Sequence, residues 1–169
     1  MNDREVLLDR LAAGRDELAA AVEGMTDAQA AAPPAGGGWS ALQCVEHVAT
    51  VETRLLRRMQ ADSTVMEAEM SREREPVLYE MIAARGRKVE APEAVHPTGR
   101  YADLREALAG FLTARERCMR WVGACEWDLR CRSVEHPAFG AVSTHEMVLI
   151  VAAHAARHAR QIVEGRSAA

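Results

Sequence analysis

Two capping boxes fix where two long helices begin, and no other local signal constrains the fold of this chain as strongly. Ser40 stands three residues before Gln43, and Ser143 three residues before Glu146. At that spacing the serine side chain accepts from the third backbone N–H, and the Gln or Glu side chain reaches back to the serine N–H. Trp39 and Cys44 flank the first box, and Val142 and Met147 the second, at the positions of a hydrophobic staple. The first box opens a helix expected over about 40–62, with Leu42, Val45, Val48, Ala49, Leu55, Leu56 and Met59 on one apolar arc. The second opens a helix expected over about 143–164, with Gly165 as its stop.

Two further segments carry helical spacing. Val6, Leu7, Leu11, Leu18 and Val22 predict a helix over about 3–24, ended by Gly24. Leu104, Leu108, Phe111, Leu112, Met119 and Val122 predict another over about 102–123. Between the second and third long helices, residues 63–99 are mixed, with a short helix expected over about 77–85. A connection this long in a bundle is a crossover or a lid. Aromatic residues are 4% of the chain, too few for a typical β-sandwich core, and no strand alternation competes with the helices. The expected fold is all-α: a four-helix bundle with a long helix 2–3 connection, in one domain over 1–169.

Charge and composition exclude several functions. The net charge of −4 leaves no basic footprint for nucleic acid. The longest strongly apolar run, Met147 to Ala153, ends at His154, short of a membrane span. The segment Met1-Asn2-Asp3-Arg4-Glu5 lacks the layout of a signal peptide, and the four cysteines form no CxxC pair. These features lead to the expectation of a reduced, cytoplasmic protein.

His154 and His158 lie four residues apart on the last helix, so their imidazoles leave the same face, about 40° apart. Imidazole is a common ligand for first-row metals, and a third donor would complete a site. His47 also sits at the edge of an apolar arc, on the second long helix. Bundles build metal sites from facing helices at such positions. The competing reading is that these are unrelated histidines bordering a core. Three neutral imidazoles would leave coordination positions open, as in catalytic rather than structural zinc sites.

The segments Trp39-Ser40-Ala41-Leu42-Gln43-Cys44-Val45-Glu46-His47, His136-Pro137-Ala138-Phe139-Gly140 and His154-Ala155-Ala156-Arg157-His158-Ala159-Arg160-Gln161-Ile162 occur in that order. Together they resemble the DinB/YfiT-like superfamily of metal-binding four-helix bundles. The resemblance implies that His47, His154 and His158 ligate a divalent metal ion, zinc or nickel. It also implies an S-transferase that uses a low-molecular-weight thiol such as bacillithiol, mycothiol or glutathione, acting on a small-molecule substrate, and a homodimer. No nucleophilic Ser or Cys motif is apparent, so the nucleophile would be a thiol or water at the metal, and no catalytic side chain is assigned.

Two alternatives stand beside this reading: a metal-dependent hydrolase, and a non-catalytic, stress-linked metal-binding bundle. Glu52 falls inside an apolar arc, where it would orient a ligand imidazole or, as the favoured reading, form a buried ion pair with an arginine such as Arg115. Arg157 would hold an anionic substrate or belong to a solvated polar face, the latter favoured. Cys44 is expected to be a buried staple residue. His136 is expected to mark a loop, and His96 and His145 to be solvated.

Overall fold

The computed structural model describes residues 2–68, 70–85 and 90–167. Four long helices form the bundle: α1 (Asp3–Val22), α3 (Ala41–Ala61), α5 (Leu104–Ala124) and α6 (Thr144–Ser167). Two short helices, α2 (Asp27–Ala31) and α4 (Glu75–Ala83), join them. In the bundle α1 packs against α6 and α3 against α5, while α4 covers part of α6. Residues 69 and 86–89 of the long connection lie outside the described residues. Among the described residues, no helix is long and apolar enough to cross a membrane.

The helix starts obey the capping rule. Ser40 Oγ accepts from Gln43 N at 3.2 Å, and Gln43 Oε1 from Ser40 N at 3.0 Å. Ser143 and Glu146 make the same reciprocal pair at 3.1 and 2.8 Å. Asn2 with Glu5 and Thr26 with Gln29 are two more boxes, opening α1 and α2. The α2 helix was not expected, because its five residues are too few to show an apolar period; the Thr26…Gln29 box was its one readable signal. Gly24, just past α1, has φ 71°, the left-handed turn that ends helices. Gly165 does not end α6, which continues to Ser167.

The all-α four-helix bundle is the fold, and a small antiparallel sheet is a minor addition to it. Strand β1 (Thr64–Val65) pairs with β2 (Arg132–His136), and β2 with β3 (Gly140–Ser143), Val134 opposite Val142. The hairpin turns through Pro137-Ala138-Phe139 into Gly140 at φ 67°. Within its strands Val134, Val142 and the small Ser143 are the buried residues, with the turn residue Phe139 packing partly buried against the core, so its alternation is too brief to stand out in the sequence. The sheet closes the end of the bundle where α6 begins.

One arginine ties the four long helices together. Arg115 of α5 is fully buried and grips Glu52 of α3 with two bonds of 2.6 and 2.9 Å. Its remaining donors reach the Leu11 carbonyl of α1 and the Val151 carbonyl of α6. Beside it, α1 and α6 touch at Gly14. A Cβ there would stand 2.6 Å from the Ala152 carbonyl oxygen and 3.3 Å from the Arg115 guanidinium. The Gly14→Ala variant is therefore expected to lose about 1–3 kcal/mol through overpacking, despite alanine's better helix propensity. Urea denaturation of the pair measures this.

Where α4 meets α6, Arg74 engages the buried Glu146 carboxylate with its Nε and Nη2 groups. Burial alone would raise the Glu146 pKa, but Arg74 and Ser143 outweigh it and hold the group below the ordinary carboxylate range. Its folded pKa is thus below its unfolded one. The resulting stability is present above the unfolded pKa of about 4.3 and is lost as pH falls through the folded value. Arg74→Ala should lower stability near neutral pH and flatten this acid limb, read as the urea midpoint against pH. Nearby, His145 corrects the expectation of a solvated side chain. It is 5% exposed, with Nε2 accepting from Arg130 Nη2 at 3.1 Å.

Candidate metal centre

The capping box at Ser40 sets the phase of α3, and that phase aims His47 at α6. There His154 and His158, one turn apart, present their rings to the same point. His154 Nε2 lies 3.2 Å from His47 Nε2 and 3.2 Å from His158 Nε2. Burial exceeds what a stripe-edge position suggested: His47 is 3% exposed and His158 7%, with His154 half-buried. Trp39 supplies the cover. Its ring lies 4.6 Å from that of His47 and stacks over His158 at 6.3 Å, with the exposed His96 edge-on beside it.

A second cover comes from the long connection. A single 3-10 turn (Glu93–Val95) places the Val95 carbonyl 2.7 Å from His47 Nδ1. A carbonyl only accepts, so Nδ1 carries the proton and the neutral ring turns a bare Nε2 lone pair toward the other two histidines. No sequence pattern marked Val95, because its contribution is a backbone atom. Glu46, beside His47 and 2% exposed, accepts from Thr98 N, Thr98 Oγ1, Gly99 N and Arg100 N at 2.7, 3.1, 3.2 and 3.4 Å.

Burial, then the neighbouring histidines and arginines, holds the pKa of His154 and His158 well below the usual value. That of His47 is also lowered by burial, against the Val95 bond. All three rings are therefore neutral at neutral pH, the form that ligates metals. One proton on His154 Nε2 cannot serve both 3.2 Å contacts well, so lone pairs crowd one another in the cluster. A cation relieves that crowding. Nitrogens about 2.0–2.1 Å from a tetrahedral zinc stand about 3.3–3.4 Å apart, close to the two short spacings seen here. The residues present therefore fit a divalent ion.

The other sequence candidates lie elsewhere or act differently. Both Glu52 oxygens are held by Arg115 in the ion pair that was the favoured reading. Arg157 corrects its favoured reading as a solvated polar face: it is half-buried and donates to the Ile82 and Ala84 carbonyls at the end of α4. It and Arg85 nevertheless bring positive charge to the His158 side, depressing that ring's pKa. Cys44 is buried with Sγ directed at the Trp39 carbonyl, burial pushes its thiol up to about 12, and it is not among the groups that converge with the three histidines. His136 stays in the hairpin, where Nδ1 accepts from Ala138 N at 3.0 Å. Two shallow depressions, of about 500 and 340 Å³, run between α3 and α5 past Thr53 and Arg117; no histidine of the cluster lines them.

The family model of the DinB superfamily matches residues 10–162. The chain belongs to the DinB superfamily. Two solved structures share the fold of this DinB-superfamily bundle. TT2238, a four-helix bundle protein, is 24% identical with a TM-score of 0.61, covering 94% of this chain and 96% of that one. YfiT from Bacillus subtilis, described as a probable metal-dependent hydrolase with an unusual four-helix bundle topology, is 19% identical with a TM-score of 0.62, covering 97% and 86%. No curated protein sequence matches the chain.

Proposed function

We propose that this DinB-superfamily protein is a metal-dependent enzyme in which His47, His154 and His158 hold one divalent ion, zinc or nickel. The observation that carries the reading is the convergence of three neutral Nε2 atoms with no carboxylate among them. A divalent ion held by three neutral ligands keeps its full charge and acidifies a thiol or water bound beside it. Val95 fixes the tautomer of His47, and Trp39 with the 3-10 segment keeps bulk water from one side of the cluster.

The preferred chemistry is S-transfer from a low-molecular-weight thiol to a small electrophile. Arg157 supports it, since its positive charge beside His158 suits a cosubstrate that carries carboxylates, while the charge of Arg85 on the same side is met by Glu164 at 2.7 Å. Hydrolysis is the second reading, supported by the description of YfiT. The same proposal takes residues 1–169 as one domain. It also takes the protein as a cytoplasmic homodimer, with its four cysteines remaining free thiols.

The test is a screen of zinc- and nickel-loaded protein against thiols paired with electrophiles, and against ester and amide panels. Thiol-dependent turnover that disappears in His154→Ala is the expected result. Turnover of esters or amides without thiol would establish the hydrolase. Metal binding with no turnover of either kind would leave the non-catalytic bundle and overturn the enzyme reading.

A further inference from the structure

Glu46 and His47 are consecutive on α3 and point about 100° apart, so one helix turn serves two structures. His47 faces the cluster, and Glu46 faces the segment from Val95 to Arg100. A carboxylate at 2% exposure is costly unless its oxygens are satisfied. Here the donors come from one short stretch of chain: the successive N–H groups of Thr98, Gly99 and Arg100, and the Thr98 hydroxyl. Gly99 has φ 75°, the left-handed conformation that accompanies the turning of successive N–H groups toward one anion. Three residues before this clasp, the Val95 carbonyl receives the His47 Nδ1–H. The clasp and the carbonyl thus form a short strap, pinned at one end by Glu46 and resting at the other on His47.

We propose that Glu46 is a positioning residue for the metal centre: it clasps the strap at residues 98–100 and so holds the Val95 carbonyl that fixes the tautomer and orientation of His47. The inference rests on the reading that the three histidines hold an ion. Without the clasp the strap is left with the Val95 bond itself and the edge-on contact of His96 with Trp39. His47 would then lose the acceptor that keeps Nε2 bare, and its ring would be free to adopt the other tautomer. Groups that orient a ligand imidazole in this way contribute about 10–100-fold to metal affinity.

Two variants of the full chain test it from opposite sides. Glu46→Gln keeps the volume but replaces one oxygen with an amide that confronts backbone donors. Gly99→Val leaves the carboxylate in place and strains the left-handed backbone instead. Zinc affinity of the metal-free protein is measured by competition with a chromophoric chelator, and the His47 Nδ1–H is followed by nitrogen-15 NMR. Both variants are expected to bind zinc about 10–100-fold more weakly and to lose the protected Nδ1–H. Thr98→Val, which removes one bond of the clasp, should give a smaller change in the same direction and serves if either variant fails to fold. Arg74→Ala, destabilised far from the cluster, should keep wild-type zinc affinity below its melting temperature.

Unchanged zinc affinity with the Nδ1–H still protected would overturn the proposal and leave Glu46 a loop anchor only. If the wild-type protein itself binds no zinc, the metal reading fails, and the NMR signal alone then decides whether Glu46 controls His47: loss in both variants supports it, persistence refutes it.

Discussion

Arg115→Met is expected to remove a large share of the stability of the bundle. Its guanidinium is fully buried and holds Glu52, Leu11 and Val151 from three other helices. Methionine fills much of the same space but leaves the Glu52 carboxylate buried without its counter-charge. Breaking one side of a buried ion pair costs about 3–5 kcal/mol, against a total of about 5–15 kcal/mol for a typical domain. Glu52→Gln strands the arginine in the same way and should be similarly damaging. The double variant Glu52→Leu/Arg115→Met leaves no buried charge and should recover much of the loss, since apolar replacements of such pairs are often neutral. Urea denaturation of the single and double variants closes the cycle. Additive losses would show that the pair does not act as a unit.

Much of this architecture was legible from short-range chemistry. The serine boxes at 40 and 143 marked two helix starts to within a residue, because capping is a local bond between residues three apart. The long helices were readable because each shows its apolar face over several turns. The β2–β3 hairpin was not, since little besides Val134 and Val142 carries its alternation. The burial of His145 was not legible because it depends on Arg130, fifteen residues earlier, meeting it across the end of the bundle. In the cluster, His154 and His158 could be paired by spacing alone, whereas the approach of His47 required the packing of α3 against α6. The strap was hidden for a different reason. Its contribution to His47 is a carbonyl and its contribution to Glu46 is mainly amides, and backbone atoms leave no residue-type signature.

His154→Ala should cost at least about 100-fold in zinc affinity, more than loss of any orienting group. His154 is the central ligand, since its Nε2 makes both of the 3.2 Å approaches. The consequence also appears in stability. A ligand present at about 100 times its dissociation constant stabilises the folded state by about 2.7 kcal/mol. Zinc should therefore raise the melting temperature of the wild-type chain by several degrees and leave that of His154→Ala nearly unchanged. The alternative, that the histidines are ordinary core residues, makes the opposite forecast: the variant melts lower without metal, and zinc shifts neither protein.

The most direct test of the metal centre is X-ray absorption at the metal edge, combined with elemental analysis, on protein purified without added metal. About one divalent ion per chain, bound by three imidazole nitrogens, is the predicted result. A chain that carries no metal and takes up none when zinc is supplied, or an ion bound by fewer than three imidazoles, would contradict it.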